Sequence, residues 1–465
     1  MAPGISRNTG RGLAVNRTHI MKQPSSTDRR SVLKLLAASA AAPLILPNRL
    51  FGADAPSNKI TVGCIGVGWQ GGGNLDGFLA IDDCRVVAIC DVDEKHLKAA
   101  VDKVNARYGN QDCKGYKDFR ELIARKDIDA VAISTPDHWH SIPAIMAANA
   151  GKDIFCEKPL SHTLSEGIAM VEAAQKNKII WQTGSWQRSV GSFRWAVELV
   201  QNGYLGKVSR VEVGLPSGHA DFAKTGRDQP DGPVPAGVDY DMWTGPAKMM
   251  PFNPCRFHKN WRWNYNTGGG QLMDWIGHHC DIAHWGLANP KYGCGPDDAV
   301  GPLEVAGTAD FPDANAIWNT APKYRIECKY PNAVDVVIAG GYPEIEGGAK
   351  WIGQNGWVSV TRGKFKASNV EWIREIQKRD KAGDLEIQLY KSPGHFREFI
   401  DCIKSRKRTL TPVEIAHRSQ TPGHLGHISA RTGRTLKWDA VKQEIIGDPE
   451  ASKLMVPVMR EPWKL

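Results

Sequence analysis

The sequence predicts an α/β domain built on a parallel sheet with helices on both faces, followed by an α+β domain whose open sheet is mostly antiparallel. Three observations predict it. From residue 59, short continuous apolar runs (KITVGCIG, CRVVAICD, DIDAVAIST, DIFCEKP, IIWQTGS) alternate with amphipathic stretches. Continuous apolar strands separated by helices are the pattern of a sheet buried on both faces. Near residue 185 this alternation stops, and strand-like segments group together without regular helices between them. Finally, a glycine-rich turn closes the first apolar run and opens a helix.

The elements follow in order. Residues 93–109 place Leu97, Val101 and Val104 at helical spacing and end on Gly109; 118–127, 140–152 and 165–178 read as further helices. The strands are stopped by Pro136 and Pro159. Beyond 185, SFRWAVELVQNGYLG reads as a helix leading into the strand KVSRVEVGLP, and an irregular Gly/Pro/Asp-rich stretch covers 214–260. YRIECKY (324–330), AVDVVIAGG (333–341) and GWVSVTRGKFK (356–366) read as strands, and 395–407 as a helix. The divisions expected are 1–55, 56–185 and 186–465.

Charge bounds the partners. The chain is 465 residues long with net charge +9, but residues 1–55 hold eight basic and two acidic residues, which leaves the remaining body close to neutral at +3. With no basic stripe interleaved with aromatics, nucleic acid is excluded as the expected partner. The N-terminal segment carries Arg29-Arg30 and Ser31-Val32-Leu33-Lys34, then the uncharged run LLAASAAAPLIL at 35–46. A helix of that length spans about 18 Å, short of the hydrocarbon core of about 30 Å, so no membrane span is expected. The string resembles a twin-arginine export signal, which implies export to the periplasm or beyond as an already folded protein. Ala53-Asp54-Ala55 fits a small-x-small cleavage site, and Met21 would open a signal of ordinary length. The ten cysteines show no C-x-x-C pair and no metal-like spacing, and they read as small buried hydrophobes.

Gly66-Val67-Gly68-Trp69-Gln70-Gly71 is a G-x-G-x-x-G turn between a strand and a helix. Gly66 permits the tight turn, Gly68 lets backbone approach a pyrophosphate, and Gly71 allows close helix–strand packing. Asp91 ends the next strand 25 residues after Gly66, where a carboxylate binds ribose hydroxyls and repels a 2′-phosphate. The first domain is therefore expected to be a Rossmann domain that binds NAD rather than NADP. Two further strings end parallel strands, where ligands of such sheets bind. One supplies Thr135, Pro136, His138 and His140, and the other supplies Glu157 and Lys158. His138 and His140 lack a third ligand at suitable spacing, so no metal site is expected. In the second domain, Asp274 and His278 are four residues apart and share a helix face.

Together these strings resemble the Gfo/Idh/MocA family of oxidoreductases (glucose–fructose oxidoreductase, inositol dehydrogenase and relatives). The resemblance rests on the glycine turn, Asp91, T-P-x-H-x-H, Glu157-Lys158-Pro159, the N-G-x-x-G-K-V turn at 202–208 and the G-G-G-x-x-x-D-x-x-x-H helix. Residues 393–442 also resemble the exported branch of that family. It implies a tightly held NAD lying between Lys158 and the Asp274/His278 helix, a sugar, glycoside or cyclitol substrate, and an open sheet that makes homo-oligomer contacts. Lys158 would bridge cofactor and substrate hydroxyl, His278 would act as general base, and Asp274 would orient the imidazole or hold a neighbouring hydroxyl. Many relatives read D-x-G-x-H where this chain has Ile276, and the tandem His278-His279 keeps His279 open as the acid/base. Asp281 would pair with His278 or sit in the core. The resemblance also implies that Trp261-Arg262 lies against the cofactor and that Gln187-Arg188 faces substrate. The five tryptophans at 243, 261, 263, 275 and 285 either stack on a saccharide or pack a domain interface. Three readings follow: an NAD-dependent dehydrogenase of a secondary hydroxyl; a redox-neutral glycosidase or lyase working through a transient keto-sugar; and a ligand-binding protein without catalysis.

Overall fold

The apolar runs of the first region are assembled in one six-stranded sheet, all of it parallel, in the order β3-β2-β1-β4-β5-β6. In this computed structural model, which describes residues 59–313 and 315–465, the strands are β1 (Ile60–Ile65), β2 (Cys84–Cys90), β3 (Lys114–Tyr116), β4 (Ala130–Ile133), β5 (Asp153–Cys156) and β6 (Trp181–Thr183). The segment 1–55 read above as an export signal, the expected cleavage site and Met21 lie outside the described residues. Helices α1 (Trp69–Leu79), α2 (Glu94–Tyr108), α3 (Phe119–Ile123), α4 (Ser141–Asn149) and α5 (Leu164–Asn177) connect the strands. Their ends follow from local chemistry. The Asp93 side chain caps α2 by accepting from Lys95 N, and Gly109 closes it in the left-handed region. Thr163 and Glu166 form a reciprocal capping box at the start of α5.

The second region folds into a nine-stranded sheet in the order β13-β12-β11-β7-β10-β9-β8-β14-β15. Its strands are β7 (Val208–Gly214), β8 (Glu304–Asp310), β9 (Lys323–Tyr330), β10 (Val334–Gly340), β11 (Gly348–Gly353), β12 (Gly356–Thr361), β13 (Lys364–Ala367), β14 (Leu436–Asp439) and β15 (Glu444–Ile446). Only the β7/β10 pair is parallel, as expected for chain regions joined by long excursions. GWVSVTRGKFK is not one strand but a hairpin. Gly363 adopts φ +77°, and the chain reverses between Thr361 and Lys364. An isolated glycine at positive φ ends a ladder where uninterrupted alternation would have continued it. This reversal sets Arg362 at a hairpin tip.

One face of this sheet is covered by α6 (Gly191–Gln201), α8 (Gly270–Leu287) and α11 (Val413–Thr432); the short α7 (Tyr240–Thr244) interrupts the irregular stretch. Helix α8 is buried along nearly its whole length. Its close approach to β11 depends on Gly286, where a Cβ would lie 2.4 Å from the indole of Trp351. After α9 (Val370–Ala382), α10 (His395–Ser405) crosses back to the first sheet. There Phe396 stacks on Phe155, 5.5 Å between centroids, and Phe399 packs edge-on. The C-terminal α12 spans Pro449–Lys453. All ten cysteines are free thiols and nine are buried. Among the described residues no helix is long and apolar enough to cross a membrane.

Trp351 is fully buried and donates through Nε1 to Ala283 O of α8 at 3.1 Å. Trp351→Ala should therefore cost about 3–5 kcal/mol, read as a lower urea midpoint at unchanged slope. The same variant should lose ordered packing of α8, which carries Asp274 and His278.

Candidate active site

A cleft of about 750 Å³ opens at the carboxyl ends of β1, β2, β4 and β5 and is closed from the other side by α8 and the 258–263 turn. At its floor lies the glycine turn. Gly66 takes φ +76°, and a Cβ at Gly71 would sit 2.1 Å from Gly66 O. No side chain caps α1, so its first N–H groups face the cleft, the arrangement that receives a phosphate. Asp91 lines the cleft and accepts from Val67 N at 2.8 Å and Asp93 N at 2.9 Å. Burial pushes its carboxyl up, against the pull of these two donors. A carboxylate has about four lone-pair sites, so Asp91 orders the glycine turn and retains capacity for ribose hydroxyls. Glu157 ties the two loops together by accepting from Asn74 at 2.9 Å and Gln70 at 3.3 Å.

Across the cleft, Lys158 Nζ donates to Asp274 Oδ1 at 2.9 Å and to Asp274 O at 3.0 Å. Arg262 Nε donates to the same Oδ1 at 3.2 Å. Burial pushes Asp274 up, but these two cations pull harder and hold it below the usual carboxylate range. Arg262 stacks over Trp261 and Trp69, 4.3 and 5.1 Å from the ring centroids. Lys158 can lie against α8 because of Gly277, where a Cβ would come within 3.1 Å of Lys158 Cβ. The glycine that relatives place at 276 is thus one residue later here, and Ile276 points instead into the core against Gly423 of α11.

His278 lines the cleft beyond Lys158; its Nδ1 is buried without a hydrogen-bond partner. Burial, then the Lys158 and Arg362 charges, hold its imidazole well below the ordinary range, so it is neutral at pH 7. His279 is turned away, with Nδ1 against Gly214 O of β7 at 2.8 Å, and does not reach the cleft. Asp281 pairs with Arg188 rather than with His278.

Several residues singled out above stand elsewhere. Arg188 is fully buried, held by Asp281 at 2.8 Å and Asp297 at 2.6 Å, and takes no part in the cleft wall. A guanidinium this desolvated stays only where carboxylates neutralise it, which removes it from substrate. Gln187 is buried too. With its amide oriented so that both ends are satisfied, it donates to His278 O and accepts from Arg362 Nε, each at 3.1 Å. His138 and His140 are buried behind the loops they stabilise. His138 lies between Thr267 O and Trp243 O, and His140 between Pro159 O and Thr135 O, each neutral ring donating its one N–H to one of the pair. They hold backbone in place, whereas Thr135 and Pro136 do line the cleft. Of the five tryptophans, Trp243, Trp261 and Trp275 reach the cleft, while Trp263 and Trp285 are core.

The sequence reading missed Asp137, His96, His258, Trp186 and Arg362, all in the cleft wall. Asp137 accepts from Gly269 N at 3.2 Å, and burial pushes its carboxyl up to about 7. His96 and His258 pack with tilted rings, 4.8 Å between centroids, near the Asp91 end, and His258 Nε2 lies 3.1 Å from Asp93 Oδ2. His258 is far from residues 91–96 in sequence, so only the position of His96 one turn into α2 could have hinted at the pair.

Two family profiles cover most of the chain. Residues 60–185 match "Oxidoreductase family, NAD-binding Rossmann fold", and 192–465 match "Oxidoreductase family, C-terminal alpha/beta domain". The chain belongs to the Gfo/Idh/MocA oxidoreductase family. Its first domain is an NAD-binding Rossmann domain. Myo-inositol 2-dehydrogenase of Thermotoga maritima is 34% identical over 184 residues, 40% of this chain and 49% of that one. Glycosyl hydrolase family 109 protein 2 of Shewanella sp. strain ANA-3 is 34% identical over 172 residues, 32% of this chain and 38% of its own. The chain thus spans about half the length, or less, of these curated Gfo/Idh/MocA relatives. The fold matches the WlbA dehydrogenase from Bordetella pertussis, solved with NADH and UDP-GlcNAcA, with TM-score 0.59 and 18% identity over 82% of this chain and 98% of that one. The residues present suit the cofactor. An uncapped helix start, the Asp91 carboxylate and the orphaned buried Oγ1 of Thr135 all face one cleft of dinucleotide size.

Two outcomes follow. Asp91→Ala should weaken NAD binding about tenfold or more and should narrow the preference over NADP, measured by fluorescence titration of both dinucleotides. Arg188→Met leaves Asp281 and Asp297 without a counter-ion and should cost about 3–5 kcal/mol. Calorimetric melting reads that loss, and NAD affinity should be retained.

Proposed function

We propose that the protein is an NAD-dependent oxidoreductase that removes hydride from a carbon bearing a secondary hydroxyl of a sugar, glycoside or cyclitol. The observation that carries this reading is a neutral, cleft-facing imidazole beside an ammonium held by a carboxylate, His278, Lys158 and Asp274, at the strand ends of an NAD-binding domain. NAD, when bound, supplies the hydride acceptor. The Lys158 ammonium polarises the substrate oxygen and lowers the cost of its developing negative charge. His278 accepts the hydroxyl proton as the C–H bond breaks, and returns it in the reverse direction. Asp274 holds Lys158 and Arg262 in register without taking the proton, since two cations keep it ionised. The inositol dehydrogenase relatives support a polyhydroxylated ring as substrate. Export through the twin-arginine pathway to the periplasm, tight retention of NAD during export, and homo-oligomer formation through the open sheet belong to the same proposal.

A second reading is favoured by the glycosyl hydrolase family 109 relatives. The same oxidation acidifies the C–H next to the new carbonyl, the glycosidic substituent is eliminated, and hydride return closes a redox-neutral cycle. Incubating NAD-loaded protein with glycosides and scoring 340 nm absorbance and sugar release separately divides the two. A net absorbance change supports the dehydrogenase, and release without net change supports the glycosidase.

Single-turnover reduction of bound NAD tests the site. Lys158→Met should abolish it, and His278→Ala should lower it about 10²–10⁴-fold with NAD still bound. His279→Ala should cost stability rather than turnover. Because the His278 pKa is depressed, its basic form persists as pH falls. The parent rate should therefore hold through pH 6 and decline only on the acid side of free imidazole. A decline centred near pH 6.5 would sink the assignment.

A further inference from the structure

Beyond Lys158 and His278, the cleft ends in a wall that the reaction just described does not use. Arg362, at the tip of the β12–β13 hairpin, lies over Trp275 and Trp186, 4.4 and 4.7 Å from the ring centroids. Both rings also flank the imidazole of His278, at 5.8 and 6.3 Å between centroids. The guanidinium is positioned as well as stacked, because the buried amide of Gln187 spans His278 O and Arg362 Nε. Its two terminal nitrogens have no carboxylate or carbonyl partner among the described residues, and they open onto the cleft. Three other arginines of the protein differ. Arg188 has two carboxylates, Arg194 has Glu198 and Asp380, and Arg262 shares Asp274 with Lys158. Three cations, Lys158, Arg262 and Arg362, line this part of the cleft with the Asp274 carboxylate, which Lys158 and Arg262 share, and with Glu157, which is engaged by Asn74, Gln70 and Lys158 N; burial pushes the neighbouring Asp137 up to about 7, so it is only partly ionised.

From this arrangement we infer that the substrate is an anion, a sugar acid whose carboxylate docks on Arg362 while its ring extends along the cleft toward Lys158 and His278. The inference rests on the oxidoreductase reading and narrows its substrate class. A planar guanidinium whose Nε is already engaged presents its terminal N–H pair as a fork, which matches the two oxygens of a carboxylate. The indole faces fix the plane of that fork and exclude water from one side, so the pairing is stronger than at an open surface. Arg362 meets His278 through Trp186, Trp275 and Gln187 and adds its charge to those that keep the imidazole neutral, but it takes no proton itself; it selects and seats substrate.

The test pairs each acid with its neutral counterpart on NAD-loaded protein: D-glucuronate with D-glucose, and D-galacturonate with D-galactose, with glucose 6-phosphate as a different anion. Binding is read by calorimetry and turnover by single-turnover absorbance at 340 nm. We expect at least one acid to exceed its neutral partner by about tenfold or more in affinity and in kcat/KM, with the advantage shrinking as salt rises. In R362Q the acid-to-neutral ratio should fall to near one, chiefly through KM, and R362K should lie between because it keeps charge but loses the fork. Retained NAD and an unchanged circular dichroism spectrum establish that these hairpin-tip variants fold. Acids no better than neutral sugars in the parent, a ratio unchanged in R362Q, or a preference for glucose 6-phosphate over both uronates would each overturn the inference. Turnover of neutral sugars without preference would do so while leaving the oxidoreductase reading standing. If no sugar of either kind bound or reduced NAD, both would fall together.

Discussion

The contact between Lys158 and Asp274 is the constraint on which the site depends. Lys158 stands at the carboxyl end of β5 in the parallel sheet, and Asp274 lies in α8, packed on the other sheet. Their ion pair therefore fixes the width of the cleft. Because Lys158 also donates to the backbone carbonyl of Asp274, it reads the position of the helix and not only of one rotamer. Gly277 and Gly286 make this possible from the helix side. The first admits the lysine stem, and the second lets α8 settle onto Trp351. A side chain at either place would push α8 away from the sheet it must approach.

The electrostatics follow from that pairing. One carboxylate serves two cations, so the cleft keeps a positive excess close to His278, and this excess adds to burial in holding the imidazole neutral. A neutral base beside an ammonium suits removal of a proton from a hydroxyl whose oxygen is acquiring negative charge. The histidines behind the loops act differently. His138 and His140 each set both ring nitrogens beside backbone carbonyls, and burial pushes them down to about 3 and about 4, so each neutral ring donates its single N–H to one of its two carbonyls. They stay uncharged and hold the loops that present Thr135 and Lys158.

Much of the site was legible in the chain because it lies where regular elements end. Gly66, Asp91, Thr135 and Lys158 all occupy carboxyl ends of parallel strands, and the sheet topology brings those ends to one edge without any long-range information. The choice of His278 over His279 followed from helical periodicity, since one residue turns the side chain by about 100°. Other residues were legible only as types. Gln187-Arg188 reads as a polar pair fit for substrate, yet Arg188 meets Asp281 and Asp297, residues roughly a hundred positions away. Arg362 reads as part of a strand, because nothing local distinguishes a glycine that interrupts a ladder from one that the ladder tolerates.

By itself the sequence determined the two-sheet architecture, the glycine turn of the NAD-binding domain and the face of α8 that Asp274 and His278 share, because each depends on periodicity and chain stops within a few tens of residues. The tertiary structure decided how charges are partnered. It buried Arg188 between two aspartates, turned His138 and His140 onto carbonyls, and brought the tip of a hairpin from the second sheet against two tryptophans beside His278. Partnership depends on which distant side chains fold against each other, and a cation's role is set by the carboxylates that reach it. Arg188 and Arg362 are the same residue type. One has two carboxylates and serves the fold; the other has none among the described residues and faces the cleft.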